Sequence, residues 1–323
     1  MPLISHPLDK DLFFPYVKDD LDAPEKMIKS LIDEYLKGGQ EYKTIGNVST
    51  LTRLYEDSYQ MDSISSHFTE EIRVLCHQNE KPNYVEIWES MSPEEIRRHP
   101  TTDSLRVAIA KAGGAECAFF SPALCLRFYI DFSPIRGPIK IIDPSAGWGD
   151  RMISAIAAGD AVAEYDGYDP NPDLRLPFER IMKQLDQTGK CRFFNIPFED
   201  APVRIGYYDL GVTSPPYFDL EIYERRGKPS RQSIAKNNTY KEWVDKFYHP
   251  YLWNFRRAIR PGGRIIIYVS KYRDKKGNEI NLEKTTIDIF KEMKDVSFFT
   301  KGFLATKKGP RAYPRPFFVF NVN

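Results

Sequence analysis

The feature that most constrains the fold is an alternation of short apolar runs with longer amphipathic stretches, which begins near residue 105. Most of the apolar runs are separated by segments with helical spacing, and strands that alternate with such helices form parallel, doubly wound sheets. The last two runs follow each other without a helix, which predicts a hairpin with an antiparallel edge. The seven predicted strands lie in PIKIID, AEYDGYD, CRFFN, YYDLGVT, RIIIYVS, VSFFTKGFLAT and RPFFVFNV.

We therefore expect residues 106–323 to form an α/β domain with a Rossmann-like, doubly wound, mostly parallel seven-stranded sheet and an antiparallel edge hairpin. Its longest predicted helix covers TYKEWVDKFYHPYLWNFRRAI, and the glycine pair at 262–263 would end that helix. Residues 1–105 have a different pattern and are expected to form a mainly helical N-terminal region. Helical spacing is present in PEKMIKSLIDEYLK and SHFTEEIRVLCHQ, and MSPEEIRRHP has Ser92 as N-cap before Pro93.

The composition is that of a soluble globular protein, with 41% hydrophobic and 28% charged residues. No apolar run approaches the ~18 to 20 residues that a membrane helix needs, and the N-terminus lacks the basic-then-apolar pattern of a signal peptide. The four cysteines form no CxxC pair and no metal-ligand spacing with histidine. We expect reduced thiols, no metal site, no membrane association and a cytoplasmic location, which would be the nucleoid or a viral replication site if the protein is viral.

Charge is unevenly distributed, although the net charge is only +1. Residues 1–100 contain 19 acidic and 11 basic side chains, whereas residues 225–276 contain 15 basic and 3 acidic ones. A basic block of this kind favours a polyanionic partner such as nucleic acid, and the alternative is a solvated, lysine-rich surface. The polyanion is favoured because aromatic residues alternate with the charges, at Tyr240, Trp243, Tyr272 and Tyr313.

Two consecutive prolines follow the fourth predicted strand in TSPPYFDL. Proline has no N–H for a sheet ladder, so Pro215 and Pro216 must end the strand, and they stiffen the loop that follows. The loop would lie at the carboxyl end of a strand, where ligands bind in α/β sheets, with Ser214 before the prolines and Tyr217 held out after them.

A glycine turn follows the first predicted strand in IIDPSAGWGDRM. Gly147 and Gly149 permit a tight turn and a close approach of backbone to a ligand at the next helix N-terminus. Met152 occupies the third glycine position of a dinucleotide fingerprint, which weakens NAD or FAD binding, and no Walker lysine follows. Asp143 at the end of the strand is a carboxylate suited to a cationic ligand.

The second strand ends at Asp169, about 20 residues after the glycine turn, where a doubly wound fold places the acid that binds ribose hydroxyls. The alternative is a simple turn in which the aspartate side chain bonds its own backbone. After the third strand, either Glu199 or Asp200 could accept a hydrogen bond from an adenine amino group, and the sequence does not choose between them.

These motifs resemble those of class I S-adenosylmethionine-dependent methyltransferases, and specifically of the nucleic-acid amino-methyltransferases. DPSAGWG resembles the first motif of that family, TSPPY its (D/N/S)PP(Y/F/W) motif, and FFSPALCL loosely its phenylalanine-containing motif. SPPYFDLEIYERR, TYKEW and AIRPGG are similar to DNA base methylases of phages and other large DNA viruses. The resemblance covers about residues 110 to 320 and leaves the first hundred unexplained.

The resemblance implies a cofactor, S-adenosyl-L-methionine, with Asp143 at the methionine ammonium and Asp169 at the ribose. It implies that Ser214 and the Pro215 carbonyl accept hydrogen bonds from a target amino group while Tyr217 stacks on the base. The implied cofactor-binding residues are Phe120, Pro122, Asp143, Pro144, Ala146, Gly147, Gly149, Asp169, Glu199 and Asp200. The implied catalytic residues are Ser214, Pro215, Pro216 and Tyr217.

Serine at 214 replaces the aspartate of the commonest adenine-specific form, so both N4 of cytosine and N6 of adenine remain possible targets. We favour DNA over RNA; alternatives are an RNA amino-methyltransferase, a protein glutamine methyltransferase, and a catalytically silent nucleic-acid-binding subunit. The N-terminal region would serve recognition, oligomerisation or partner docking. The expected nucleic-acid contacts are Arg225, Arg226, Lys228, Arg231, Lys271, Arg273, Lys275 and Lys276.

Overall fold

A computed structural model of the chain describes twelve stretches of residues, namely 3–16, 28–29, 31–33, 41–45, 48–52, 62–78, 81–117, 120–185, 188–220, 222–224, 232–305 and 315–323. The helix expected in PEKMIKSLIDEYLK lies mostly outside these residues. No helix in the described stretches is both long and apolar enough to cross a membrane.

The strands are β1 (Ser5–His6), β2 (Asp9–Phe13), β3 (Glu41–Ile45), β4 (Val48–Thr52), β5 (His77–Gln78), β6 (Ile139–Asp143), β7 (Val162–Tyr168), β8 (Cys191–Phe194), β9 (Tyr208–Thr213), β10 (Tyr223–Glu224), β11 (Ile259–Tyr268), β12 (Lys271–Arg273), β13 (Glu279–Asn281), β14 (Val296–Ala305) and β15 (Arg315–Val322). The α-helices are α1 (Asp62–Arg73), α2 (Tyr84–Ser90), α3 (Pro93–Arg97), α4 (Thr102–Lys111), α5 (Pro122–Asp131), α6 (Asp150–Ala157), α7 (Arg175–Gln184), α8 (Tyr240–Trp243), α9 (His249–Ala258) and α10 (Leu282–Glu292).

The seven predicted strands form one sheet in the order β14-β15-β11-β9-β6-β7-β8. β8, β7, β6, β9 and β11 pair in parallel, and β15 runs antiparallel to both β11 and β14. The predicted doubly wound sheet with an antiparallel hairpin is thereby confirmed. In addition, β4 pairs in parallel with β14 and β3 pairs with β4, so the N-terminal region extends the sheet to nine strands.

Both faces of the sheet are covered, as the continuous apolar character of its strands requires. Ile141 and Ile142 are consecutive residues of β6 that belong to different buried clusters. The cluster around Ile141 contains residues of α5, α6 and α7, and the cluster around Ile142 contains residues of α9 and α10. This alternation places one layer of helices on each face of the sheet.

The long helix expected to end at residues 262–263 is shorter and interrupted. α8 is followed by a five-residue π-helical segment (Val244–Tyr248) before α9, which ends at Ala258. Pro250 lies in the first turn of α9, and an α-helix continuing through it would bring its ring against the carbonyl of residue 246. The glycine pair instead lies in β11, and Gly263 is needed there because a Cβ at this position would lie 2.8 Å from the Asp209 carbonyl oxygen.

Gly211 in the middle of β9 lets α9 lie close to the sheet. A Cβ built at this position would be 2.2 Å from Cε2 and 2.5 Å from Cζ of Phe255, whose ring is fully buried. Alanine would therefore have to displace either the ring or the helix.

We predict that Gly211→Ala lowers the free energy of unfolding by about 1 to 3 kcal/mol, as overpacking of a buried contact does. Denaturant unfolding monitored by circular dichroism measures this change. Gly189→Ala is the matched control, since nothing lies within 4 Å of a Cβ at Gly189. Equal stability of the two variants would contradict the proposed role of the Gly211–Phe255 contact.

Candidate functional site

The candidate site lies at the carboxyl edge of the parallel strands, where the segments after β6, β7 and β9 meet. β6 pairs with β7 on one side and with β9 on the other. The glycine turn after β6 therefore has Asp169, which follows β7, on one side and Ser214, which follows β9, on the other. This edge is where doubly wound folds bind ligands.

The glycine turn has the backbone conformation that its sequence requires. Gly147 has φ 56° and Gly149 has φ 95°, both in the left-handed region that side chains disfavour. Gly149 caps α6, so the free N–H groups of that helix open onto the turn. The Ala146 N–H donates to the Tyr168 carbonyl (2.8 Å), which ties the turn to the end of β7.

Asp169 accepts two backbone hydrogen bonds, one from the glycine turn and one from within its own turn. Its Oδ2 accepts the Gly147 N–H at 3.1 Å, while its Oδ1 accepts the Asn171 N–H at 2.9 Å in an Asx turn. The Asn195 side chain fixes this turn by donating to the carbonyls of Asp169 and Asn171 at 2.8 and 2.7 Å. The aspartate is half-buried, and burial raises its pKa to about 6.

The two acids after β8 differ in their surroundings. Glu199 is half-buried, and loss of solvation raises the pKa of its carboxyl, with the charge of Asp200 adding to the effect. Asp200 is exposed. Either assignment to an adenine amino group stays a prediction.

Asp143 at the end of β6 is fully buried and already holds a partner of opposite charge. Its Oδ2 accepts hydrogen bonds from Arg151 Nε and from the Tyr165 hydroxyl, both at 2.7 Å, and its Oδ1 accepts the Ser145 N–H at 3.2 Å. Arg151 also donates to the Ser145 carbonyl. These contacts make Asp143 a structural anchor of the turn, and its expected role at a cofactor ammonium stays a prediction.

Phe120 and Pro122 lie against the same turn. The Phe120 N–H donates to Asp150 Oδ2 at 3.3 Å, and its half-buried ring lies 5.1 Å from the Arg151 guanidinium carbon. Pro122 opens α5, and its carbonyl accepts the Ser154 hydroxyl of α6 at 2.6 Å. The segment that resembles the phenylalanine-containing motif is thus adjacent to the glycine turn.

The Ser214–Pro216 loop leaves β9 as its prolines predict, since β9 ends at Thr213. The Ser214 hydroxyl donates to the Tyr268 carbonyl at 3.2 Å. Because a hydroxyl has one proton, this bond leaves the Ser214 oxygen with lone pairs only for any further partner. The residue is half-buried, so its oxygen can act as an acceptor toward a ligand.

Tyr217 does not project from the loop as its sequence position suggested. Its side chain is only 7% exposed, because the ring packs edge-on against Tyr272, with centroids 5.6 Å apart. Its hydroxyl accepts the Ser270 N–H at 2.8 Å and lies 3.1 Å from the Ser270 hydroxyl. The ring orientation is therefore fixed by the segment that follows β11.

The β12–β13 hairpin carries four of the expected nucleic-acid contacts and is joined to the proline loop. Tyr272 donates to Asp219 Oδ1 at 2.8 Å, and the Lys275 N–H donates to Asp219 Oδ2 at 3.3 Å. The side chains of Lys271, Arg273, Lys275 and Lys276 are exposed. The other four expected contacts, Arg225, Arg226, Lys228 and Arg231, lie outside the described residues.

The aromatic residues of the basic block are largely core residues. Trp243 is fully buried and donates its Nε1–H to Ser233 at 2.8 Å, so it is not available to a base. Tyr240 is half-buried and its hydroxyl lies 2.8 Å from that of Thr285. Packing explains these two positions, and Tyr313 lies outside the described residues.

Sequence reasoning missed three residues that support the site. Arg151 follows the glycine turn directly, and that position was the available signal. Ser65 on α1 donates to Asp150 at the start of α6, and Tyr251 on α9 contacts both Ser145 and Thr213. No motif marks either residue, because each is brought to the site by tertiary packing.

No protein-family model matches the chain, and no curated protein matches its sequence. Among solved structures, TrmN from Thermus thermophilus is similar over 62% of this chain and 49% of its own, with 16% identity and a TM-score of 0.42. The chain thus spans about half the length of TrmN. A putative rRNA-methylase from Clostridium thermocellum is similar over 64% of this chain and 100% of its own, with 12% identity and a TM-score of 0.41.

A geranyl diphosphate methyltransferase in complex with SAM is similar over 74% of this chain and 95% of its own, with 11% identity and a TM-score of 0.42. The ligands and substrates named for these three proteins are those of the proteins themselves.

The pKa of Asp169 gives a prediction for the pH dependence of stability. We expect the Asp169 carboxyl to titrate near pH 6 in an NMR experiment on the folded chain. Because the folded state holds this proton more tightly than the unfolded state, the stabilising contribution is complete below about pH 4 and is lost as the pH rises through about 6. The stability of the wild type relative to Asp169→Asn should fall over this interval, and a titration near pH 4 would contradict the effect of burial.

Proposed function

We propose that the chain is an S-adenosylmethionine-dependent methyltransferase that acts on an exocyclic amino nitrogen of a nucleic-acid base, with DNA as the favoured substrate. One observation carries the proposal: the glycine turn with Asp169 and the Ser214–Pro216 loop lie side by side at the carboxyl ends of neighbouring parallel strands. A methyl donor bound at the first would be next to an amine bound at the second.

The residues around the glycine turn are suited to the adenosyl and methionine parts of the cofactor. A Cβ at Gly147 would meet only the Ser145 carbonyl at 3.9 Å, so a ligand can approach the backbone of the turn closely. Each Asp169 carboxylate oxygen accepts one backbone N–H and keeps a lone pair for a ribose hydroxyl. Asp143 is fully buried, so its Oδ1, whose partner is the Ser145 amide, would meet an ammonium only after the Ser145 segment uncovers it.

S-adenosylmethionine supplies, when bound, an electrophilic methyl group on a sulfonium. The amine of a base is a poor nucleophile because its lone pair is delocalised into the ring. Ser214, whose proton is committed to Tyr268, and the Pro215 carbonyl can accept the two amine hydrogens and favour the tetrahedral geometry that localises the lone pair. The prolines hold both acceptors in place, so the gain is positioning and electrostatic stabilisation of the transition state.

Stacking of Tyr217 on a base that has left its helix would require its ring, which is only 7% exposed, to be uncovered on one face while Ser270 holds its hydroxyl. Base–aromatic stacking contributes about 1 to 3 kcal/mol. No strong base is needed, because the methylated amine is cationic and loses its extra proton to water.

Two features support a nucleic-acid substrate. The exposed cations of the β12–β13 hairpin lie beside the proline loop through the contacts of Tyr272 and Lys275 with Asp219. β10, at residues 223–224 beyond that loop, pairs with β5, so the N-terminal region contacts the segment that carries the chain from the proline loop toward the basic block. The preference for DNA over RNA comes from the sequence resemblance alone.

We predict that expression of the chain in a methylation-free bacterial host produces N4-methylcytosine or N6-methyladenine in DNA, and that Tyr217→Ala abolishes it. Nucleoside mass spectrometry of DNA and RNA measures the product. Tyr207→Ala is the matched control, since Tyr207 precedes β9 at the opposite edge of the sheet.

The two nucleic-acid pools separate the alternatives in this experiment. A methylated base in RNA alone would replace DNA by RNA as the substrate. No product in either pool, with S-adenosylmethionine still bound in calorimetry, would favour a catalytically silent subunit. Unchanged product with Tyr217→Ala would refute the stacking role.

A second prediction concerns the hairpin. The double variant Lys275→Glu, Lys276→Glu should weaken binding to duplex DNA and reduce the slope of log K against log salt by about 2, because each phosphate contact contributes about 0.9. The control reverses Lys291 and Lys294, which are exposed at the end of α10 near the amino edge of the sheet. Fluorescence anisotropy at several salt concentrations measures both, and equal slopes would make the hairpin an ordinary solvated surface.

A further inference from the structure

Three hydroxyl groups form a buried link between the two halves of the candidate site. The Tyr251 hydroxyl lies 2.8 Å from that of Ser145, in the glycine-turn segment, and 3.0 Å from that of Thr213, which directly precedes Ser214. Tyr251 and Thr213 are buried, and Ser145 is half-buried. Within the described contacts, this is a direct side-chain link between the segment after β6 and the end of β9.

The packing of α9 explains why Tyr251 reaches both partners. Gly211 and Thr213 lie on the same face of β9, and Tyr251 and Phe255 lie one turn apart on the same face of α9. The absence of a side chain at Gly211 lets the Phe255 ring rest on the strand, which brings Tyr251 over the end of that strand.

The π-helical segment before α9 also contributes to the placement. Trp243 and Tyr248 are five positions apart, which on an α-helix would separate them by about 140°. The wider turn instead stacks their rings at 4.9 Å with an interplanar angle of 16°, and the Tyr251 ring continues the stack at 17° to Tyr248. The Tyr251 ring is therefore oriented by its stacking on Tyr248, and π segments are frequent at functional sites.

The single proton of the Tyr251 hydroxyl makes the two hydrogen bonds of the link depend on each other. Burial raises the pKa of Tyr251 far above its usual value, so the phenol keeps its single proton. It can donate that proton to only one of Ser145 and Thr213, and it accepts the hydroxyl proton of the other. A ligand that engages or shifts Ser145 therefore alters the bond at Thr213, next to the amine acceptor Ser214.

We propose that Tyr251 is a positioning residue that couples occupancy of the glycine turn to the order of the Ser214–Pro216 loop. The proposal rests on the proposed function, since the ligand of the turn is taken to be S-adenosylmethionine or its product. Tyr251 would touch neither the methyl donor nor the amine; it would act through Ser145 and Thr213.

The test is hydrogen exchange of the backbone amides of residues 212–214 and 217–220, which flank the two prolines and have an N–H, measured with and without S-adenosylhomocysteine. In the wild type, the ligand should slow exchange in this loop by a factor within the roughly 5- to 150-fold range of coupling between sites. In Tyr251→Phe, the ligand should still bind and protect residues 145–151. The logarithm of the factor by which the ligand slows exchange in the loop should fall to less than about half of its wild-type value.

Tyr248→Phe is the matched control, because it removes a buried tyrosine hydroxyl from the same part of the chain. Its hydroxyl lies 2.6 Å from Thr286 of α10, away from both loops. This variant should keep the wild-type response of the loop, so a general loss of stability cannot imitate the expected result.

Each outcome has a definite meaning. If the wild type binds neither S-adenosylmethionine nor S-adenosylhomocysteine in calorimetry, the proposed function fails and the inference fails with it. If it binds but Tyr251→Phe and Tyr248→Phe leave the loop response equally intact, only the inference is overturned. Should Tyr251→Phe not fold, Ser145→Ala removes the same link at a half-buried position, and an unchanged response there would overturn the inference equally.

Discussion

The parallel pairing of β6 with β9 is the constraint on which the candidate site depends. Segments that are far apart in the chain become neighbours because Ile141 and Ile142 pair with Leu210 and Gly211. Adjacent strands lie about 4.8 Å apart, so the segments that follow them must lie close together. The close packing of α9 on Gly211 then adds a side-chain link between these segments, and the site becomes one connected unit.

Buried charge is the second feature that holds the site together. A buried carboxylate is costly unless it has partners, and Asp143 and Asp150 each have several. Those of Asp143 come from the sheet and α6, whereas Asp150 is bound by Ser65 of α1 and by the Phe120 amide. The N-terminal region therefore contributes to the support of the glycine turn, and the division of the chain at residue 105 stays a prediction.

Apolar runs predicted the seven strands after residue 105 but not β3 and β4, and the glycine turn and the end of β9 were predicted because glycine and proline act locally. The positive φ angles at Gly147 and Gly149 and the end of β9 before Pro215 follow from backbone sterics that no distant contact can change. Aromatic residues were harder to interpret. The rings of Trp243 and Tyr217 are both chemically able to stack on a base. Only packing decides whether such a ring faces a ligand or the core.

The sequence by itself determined the doubly wound sheet, the glycine turn and the rigid proline loop, since these depend on periodicity and on the conformational limits of single residues. The tertiary structure alone decided that the Ser214 hydroxyl is an acceptor, that Tyr217 is fixed by Ser270, and that Tyr251 joins the two loops. Each of these depends on contacts between residues far apart in the chain. Such contacts leave no local pattern, because they are selected by the shape of the packed core.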